Sequence, residues 1–282
     1  MGLRINTNVA SLNAQRNLSQ TKLAMDKTLE KLSSGQRINR AGDDAAGLAI
    51  SENLKAQIRG MGQAERNAQD GVSLVQIAEG ALAEVSNILI RLRELSVQAA
   101  SDTIGNTERK FLNVEFEQLT SEVDRIANST EFNRVPLLNG TGAVFDIQIG
   151  TRNDPVSDRL TFDASSADVN VAALGLNLAS VADKISSQNS LSSIDQAIIS
   201  VSGIRADFGA LQNRLQSTIN NIAVGVENLS AANSRVRDAD IASETAELTK
   251  NNILVTAGTS VLAQANASTK NALNLIQAAS QV

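Results

Sequence analysis

The positions of its two prolines constrain this chain more than any other feature. Pro136 and Pro155 are the only prolines among 282 residues, and both lie near the middle of the sequence. A proline inside a helix removes a hydrogen bond and clashes with the preceding turn, at a cost of about 3 kcal/mol. Because the sequence on either side is free of proline, it predicts a mainly α fold: a long antiparallel helical hairpin or coiled-coil rod that folds back at a short irregular centre.

The residues available for a core are almost all aliphatic. Hydrophobic side chains make up 42% of the chain but aromatic ones only 2%, and Trp, Tyr, His and Cys are absent. Small aliphatic residues suit seams between helices. The lack of His and Cys also removes the commonest general base, the commonest metal ligand and the thiol nucleophile. We therefore predict no enzyme, no metal site and no cofactor.

The charges on the chain are mild and interspersed. A net charge of −5 from 25 basic and 30 acidic residues makes nucleic acid and anionic membranes poor partners. No apolar run approaches the roughly 18 residues of a membrane span. The first residues contain no apolar stretch of the signal-peptide type, so any export would use a route that reads no cleavable signal.

The clearest helical periodicity lies in the second half of the chain. Steps of four and three from Ile194 to Val236 land on apolar side chains except at Arg205, Gln212 and Asn233. This heptad seam of about 43 residues would be roughly 65 Å long at 1.5 Å per residue. Polar residues in a seam usually fix its register, and we predict that role for these three.

A matching seam runs through the first half, from Leu54 to Leu95, and the two seams could pack on each other. A third helix is predicted from Glu108 to Ala127 by its apolar side. Between about residues 139 and 177 the period changes to the alternation of strands, as in Phe145, Ile147 and Ile149. This region is predicted to form a small β-hairpin.

The outermost segments are thin amphipathic arms. We predict a terminal coiled-coil domain of residues 1–43 plus 237–282, and a rod domain of residues 44–236. Ordering the arms costs more backbone entropy than their few aliphatic side chains return, so the arms need a partner that covers their apolar surface. The predicted polymerisation interface consists of Ile5, Val9, Leu12, Leu18, Met25, Leu29, Leu32, Ile241, Leu248, Val255 and Leu262.

Two acidic clusters invite a metal interpretation, namely Asp43-Asp44 and Asp238 with Asp240. A calcium loop needs further oxygen ligands and a glycine at set offsets, and neither cluster supplies them. Carboxylates at helix N-caps and in first turns are the better interpretation, because they bind free N–H groups and face the positive end of the helix dipole.

Several stretches resemble bacterial flagellins. The segment from Lys31 to Ile50, with Arg40-Ala41-Gly42-Asp43-Asp44 at its centre, is similar to the amino-terminal segment of that family. The segments 208–215, 237–240 and 257–266 resemble its carboxy-terminal half. The resemblance covers nearly the whole chain apart from the short middle.

This resemblance implies a subunit that stacks in an open helical array to form the extracellular flagellar filament used for swimming. A head-to-tail contact that does not close gives a filament rather than a ring. The paired arms would form the inner core of the filament and be disordered in the free monomer. The resemblance also implies export through the flagellar channel without a cleaved signal peptide, and an export chaperone, cap and junction proteins as further partners.

Family members are also recognised by an innate immune receptor of the Toll-like class, through a helix motif similar to residues 91–98. Carried over to this chain, the motif marks Arg91, Leu95 and Glu122 as receptor contacts. Ile90 stands where the motif commonly has a polar residue.

Two alternatives remain at this point. A hook–filament junction protein shares terminal helices with flagellin but does not polymerise indefinitely. A helical adaptor module would keep its ends stably folded in the dilute monomer.

Overall fold

The computed structural model describes the backbone of residues 7–279 and the side chains of residues 7–271. Long helices dominate that part of the chain: α1 Val9–Ser34, α2 Ala45–Ala99, α3 Asn106–Ser129, α4 Lys184–Arg237 and α5 Ile241–Ala279. Two antiparallel hairpins lie between α3 and α4: β1 Glu131–Phe132 with β2 Val135–Pro136, and β3 Val144–Gln148 with β4 Arg159–Asp163. The predicted mainly α fold with a β-hairpin region in the middle of the chain is confirmed.

The chain divides into two compact units. The terminal unit comprises Met1–Ala56 and Leu229–Val282, and the central unit comprises Gln57–Asn228. The division falls within α2 and α4, so each of these helices contributes to both units. The functional domain limits proposed at residues 43 and 237 stay a prediction.

In the central unit α2 and α4 run antiparallel. Two ion pairs fix their register: Arg93 Nε lies 2.7 Å from Asp195 Oδ1, and Arg205 Nη2 lies 2.7 Å from Glu79 Oε1. The residue number rises along one helix as it falls along the other. The central unit therefore contains the antiparallel helical hairpin that the two heptad seams predict.

The seam residues of both helices form the core of the central unit. The fully buried positions include Leu82, Leu89 and Leu92 of α2, Ile194, Val201 and Leu215 of α4, and Phe116 and Val123 of α3. The β3–β4 hairpin covers one side of this core, since the rings of Phe162 and Phe208 have centroids 4.9 Å apart. Packing between α2, α3, α4 and the hairpin thus stabilises the unit through aliphatic contacts.

By length and composition alone, one 18-residue window of α2 could cross a membrane, with a mean hydropathy of 1.3. A core helix of a helical bundle passes the same test. The apolar side chains of α2 at Leu82, Leu89 and Leu92 are fully buried against the rest of the central unit. We therefore assign the apolar character of α2 to core packing.

A buried arginine holds the turn between α2 and α3. The side chain of Arg109 is only 6% exposed. Its Nε donates to the carbonyl oxygen of Ala99, its Nη2 to that of Ser101 and its Nη1 to Asn106 Oδ1, each at 2.8 Å. Arg109 thereby satisfies carbonyl groups that the end of α2 leaves without a helical partner.

The N-terminus of α4 is capped by Asp183. Its Oδ1 accepts from the N–H groups of Ile185 and Ser186 at 3.0 Å, and its Oδ2 accepts from Ser186 Oγ at 2.7 Å. These donors, led by the Ser186 N–H, lower the pKa of Asp183 below its ordinary value. The cap is therefore present at neutral pH and is lost as the pH falls through the lowered pKa.

The short β1–β2 hairpin was not predicted. Its two-residue turn places Asn133 and Arg134 at positive φ, 49° and 65°, as hairpin turns that match the strand twist require. Pro136 pairs with Glu131 at the end of this ladder, where the missing N–H of proline is tolerated. Strands of two residues are too short to show any periodicity in a sequence.

Candidate assembly surface

In the terminal unit α1 and α5 form an antiparallel pair. Three contacts set its register: Asn8 Nδ2 donates to the carbonyl oxygen of Ala265 at 2.9 Å, Ser11 Oγ donates to Asn266 Oδ1 at 2.8 Å, and Lys31 Nζ lies 2.9 Å from Glu244 Oε1. Side chains three and four residues apart on each helix are shielded by the other helix, as in a coiled coil.

Large and small side chains alternate across the seam of this pair. The large residues recur every seventh position and are half-buried: Leu18, Met25 and Leu32 on α1, and Leu248, Val255 and Leu262 on α5. In the observed register each of them faces a small or polar residue of the partner helix. Leu18, for example, faces Gly258, where an added Cβ would lie 3.3 Å from Leu18 Cδ1. The seam is therefore matched in shape as well as in hydrophobicity.

Two buried polar residues interrupt this seam. Thr28 is 5% exposed, and its hydroxyl donates to the carbonyl oxygen of Ala24 at 3.0 Å. Asn251 is 3% exposed, and its Nδ2 has no hydrogen-bond partner among the described residues. A buried amide without a partner lowers the stability of the helix pair. Buried polar residues in a seam also favour one register, so Thr28 and Asn251 set the register at a cost in stability.

A second set of apolar side chains on the two helices faces away from the seam. Ile253, Leu254 and Val261 of α5 are 63%, 46% and 59% exposed, and their spacing of one, seven and eight residues places them on one side of the helix. We call these three residues the apolar flank. On α1, Val9, Leu12 and Leu23 are exposed in the same way. A helix pair that leaves such side chains uncovered needs a further partner surface.

A neighbouring exposed side of α5 is rich in threonine, and we call this side the polar flank. Its members are exposed and direct their hydroxyls back to carbonyl oxygens of the preceding turn: Thr245, Thr249, Thr256 and Thr259. The two flanks therefore differ in chemistry although both are open in the monomer.

The segments that join α1 to α2 and α4 to α5 are tied together by backbone hydrogen bonds. The N–H of Arg37 donates to the carbonyl oxygen of Arg237 at 2.7 Å, and the N–H of Ala239 donates to that of Gly35 at 2.9 Å. The Arg237 guanidinium also donates to Gln36 Oε1 and pairs with Glu52. This clamp fixes where the α1–α5 pair begins.

One carboxylate of each acidic cluster caps a helix, which is the role predicted for these clusters. Asp44 Oδ1 accepts from the N–H of Gly47 at 2.8 Å, and Asp240 Oδ1 accepts from the N–H of Ala242 at 2.9 Å. Asp43 Oδ2 accepts from the N–H groups of Arg40 and Asn39, which lower the pKa of Asp43, the Arg40 bond contributing most. These carboxylates stabilise the starts of α2 and α5 and the loop before α2.

The predicted interface residues fall into two groups in the structure. Val9, Leu12, Leu29 and Ile241 are exposed, whereas the other described ones line the α1–α5 seam; Ile5 lies outside the described residues. Sequence reasoning missed Leu23, Ile253, Leu254 and Val261. The three α5 residues could have been identified from a second apolar stripe on that helix, separate from the residues spaced exactly seven apart.

The three predicted register residues of α4 have different environments. Arg205 forms a forked contact with Glu79 Oε1, through Nε at 3.0 Å and Nη2 at 2.7 Å. Gln212 is half-buried. Asn233 has a buried Oδ1 without a partner among the described residues. The register role of all three stays a prediction, and Arg205 has the contact best suited to it.

The residues carried over as receptor contacts are not all exposed. Leu95 is fully buried, and Glu122 pairs with Arg125 on its own helix. Arg91 lies instead beside Glu115, with Nη2 2.8 Å from Glu115 Oε1, and beside Glu94. These two carboxylates raise the pKa of Arg91, the Glu115 hydrogen bond contributing most. The acidic neighbour of Arg91 on α3 is thus Glu115 rather than Glu122.

Two family models match most of the chain. The model of the bacterial flagellin N-terminal helical region matches residues 5–143, and the model of the C-terminal helical region matches residues 191–276. The unmatched residues between them contain the β3–β4 hairpin.

Curated relatives match nearly the whole chain at more than 40% identity. The flagellin of Halalkalibacterium halodurans is 45% identical over 273 residues, which are 97% of this chain and 99% of that protein. The flagellin of Bacillus subtilis is 46% identical over 305 residues, covering 98% and 100%. The flagellar filament 33 kDa core protein of Treponema phagedenis is 42% identical over 284 residues, covering 97% and 99%.

Solved structures agree with the fold. The crystal structure of Bacillus cereus flagellin is 34% identical, with a TM-score of 0.50, and the match covers 60% of this chain and 94% of that one. A putative flagellar hook-associated protein from Vibrio parahaemolyticus has a similar fold, with a TM-score of 0.58 at 16% identity over 70% of this chain and all of that one.

Proposed function

The chain belongs to the bacterial flagellin family, and on that premise we propose that its terminal unit carries the contacts by which it polymerises. The protein is a structural subunit of the bacterial flagellar filament, as its relatives named flagellin and flagellar filament core protein are. Its role is mechanical, because a filament of such subunits turns motor rotation into thrust for swimming.

The observation that carries the proposal is the set of exposed apolar side chains on the α1–α5 pair. The seam already uses Leu18 and Val255, yet Leu12, Ile253 and Val261 remain more than half exposed. Neighbouring copies that cover them in a filament would supply burial of about 25 cal/mol per Å² of apolar surface. The buried Asn251 amide has no hydrogen-bond partner among the described residues, and the large side chains of the seam are only half-buried. Because both features weaken the α1–α5 pair in the monomer, they support the proposal that the arms become ordered upon assembly.

The alternative of a hook–filament junction protein is not favoured. The likeness to the Vibrio hook-associated structure is one of fold, at 16% identity, whereas flagellins match at 45% and 46% over nearly the full chain. We also propose that export follows the flagellar channel without a cleaved signal, and that an export chaperone, a cap and junction proteins assist. These partners rest on family membership alone.

Seeded assembly of the purified protein tests the filament role. We expect filament fragments added to monomer to grow without a limit in length, seen by electron microscopy and by a rise in light scattering. A matched sample without seeds controls for spontaneous aggregation. Short capped ends that stop growing would support the junction alternative instead.

We further propose that the monomer is recognised by a Toll-like receptor through the exposed pair of Arg91 and Glu115 rather than through Glu122. Leu95 would then act by holding α2 in place, since its side chain is buried. In a receptor reporter assay, we expect Arg91→Ala to reduce the response, with Arg125→Ala as a matched surface control. A wild-type monomer that gives no response would contradict this proposal.

A further inference from the structure

The turn of the β3–β4 hairpin and one face of α4 border an open cleft in the central unit. Its volume is about 410 Å³, and it is lined by Arg159 and Ser157 from the hairpin and by Asn213, Arg214, Ser217 and Thr218 from α4. Ile149 and Leu160 add an apolar part to the wall. The four α4 residues share one face because three and four residues make about one turn.

The positive charge of this cleft comes from its two arginines. Within the part of the chain that the structure describes, neither guanidinium forms an ion pair, and the only side-chain partner of Arg159 there is Asn153 Oδ1. Other arginines of the central unit, such as Arg93 and Arg205, do have carboxylate partners. One positive group lies on each wall of the cleft, so an anion between them would be stabilised.

The nearby acidic groups are already engaged by the hairpin turn itself. Asp154 accepts from the N–H of Val156 at 3.0 Å and from Ser157 Oγ at 2.8 Å, and Asp158 Oδ2 accepts from the N–H of Asp154 at 3.2 Å. Neither carboxylate lines the cleft. The turn is thus held by its own carboxylates and by the Ser157 hydroxyl, and neither carboxylate pairs with the arginines of the cleft.

The polar groups of the cleft are mainly donors. A guanidinium carries five N–H groups in a planar fork, and the amide of Asn213 and the hydroxyl of Ser217 add further donors. The hydroxyl hydrogen of Thr218 already goes to the carbonyl oxygen of Arg214 at 2.9 Å. Forked N–H donors match the paired oxygens of phosphate and carboxylate groups.

We propose that this cleft is a binding site for a small oxyanion, with Arg159 and Arg214 as its two charged ligands. The occupant is a dissolved phosphate or organic carboxylate, because donors converge on the cleft from both of its walls. The site is separate from the polymerisation surface, since every residue that lines it belongs to the central unit.

Titration of the full-length monomer with inorganic phosphate tests this site. With arginine labelled by ¹⁵N, we expect saturable shifts in the Nε–H signals of Arg159 and Arg214 at constant ionic strength, and similar shifts with citrate. Arg214→Gln should weaken phosphate binding by at least about tenfold, the loss typical of a charge-assisted hydrogen bond. Arg159→Gln provides a second variant, and circular dichroism checks that each variant folds.

Arg125→Gln is the matched control, because it removes one positive charge from an exposed site elsewhere in the central unit. It should leave phosphate binding unchanged. The proposal is overturned if chloride at the same ionic strength produces the same shifts, if wild-type signals do not saturate, or if Arg125→Gln and Arg214→Gln weaken binding equally.

Discussion

Purified protein that carries both Ile253→Asp and Val261→Asp is expected to form no filaments when it is seeded. Both side chains belong to the apolar flank of α5, where they are 63% and 59% exposed in the single chain. Assembly would bury them, and an unpaired carboxylate transferred to an apolar surface costs several kcal/mol. Because every subunit carries both charges, this cost recurs at each addition. Light scattering and electron microscopy measure the loss.

The control places the same two charges on the polar flank. Thr245→Asp with Thr259→Asp changes two exposed members of that flank, whereas Thr249 and Thr256 are left unchanged because each lies one turn from Ile253. We expect this variant to assemble more slowly but to reach filaments. Both variants should keep the free energy of unfolding of the monomer within about 0.5 kcal/mol, as surface substitutions usually do. Equal loss of assembly in the two variants would show that added charge, rather than the apolar flank, decides the outcome.

The second large effect is expected at the turn between α2 and α3. Arg109→Ala removes three hydrogen bonds of a buried guanidinium and leaves the carbonyl group of Ala99 without that donor. We expect the free energy of unfolding of the central unit to fall by about 3 kcal/mol. Calorimetry should show a thermal midpoint lowered by roughly 10 °C for a unit of this size.

Two further variants separate charge from geometry at this turn. Arg109→Lys keeps the positive charge but cannot reach the three acceptors at once, so it should recover only part of the loss. Lys110→Ala changes the exposed neighbouring residue and should have almost no effect. If Arg109→Ala is as stable as the wild type, the buried guanidinium does not hold the turn.

Much of the fold was predictable because helix periodicity and the absence of proline act over long distances in the sequence. The seam from Ile194 to Val236 becomes the least exposed face of α4, and the seam from Leu54 to Leu95 becomes that of α2. The β1–β2 hairpin could not be predicted, since its strands contain two residues each. Periodicity needs more residues than that to be visible.

The assembly surface was only partly predictable for a related reason. A spacing of exactly seven residues identified Leu248, Val255 and Leu262 on α5, and the structure places these residues in the seam with α1. The apolar flank lies beside the seam, and only the position of α1 reveals which side of α5 stays open. The pairing of Arg91 with Glu115 likewise depends on the register between α2 and α3, which no single helix pattern contains.

The alternation of large and small side chains in the α1–α5 seam has a mechanical consequence. A slide of one helix by half a heptad, about 5 Å, would bring Leu18 against Leu262 and leave Thr21 facing Gly258. In that arrangement the large side chains of Leu18 and Leu262 would collide, and the smaller residues Thr21 and Gly258 would leave a gap. The next matched arrangement comes only after seven residues, about 10.5 Å. Under axial load the two helices therefore resist sliding over short distances. They can slide only in discrete steps of one heptad.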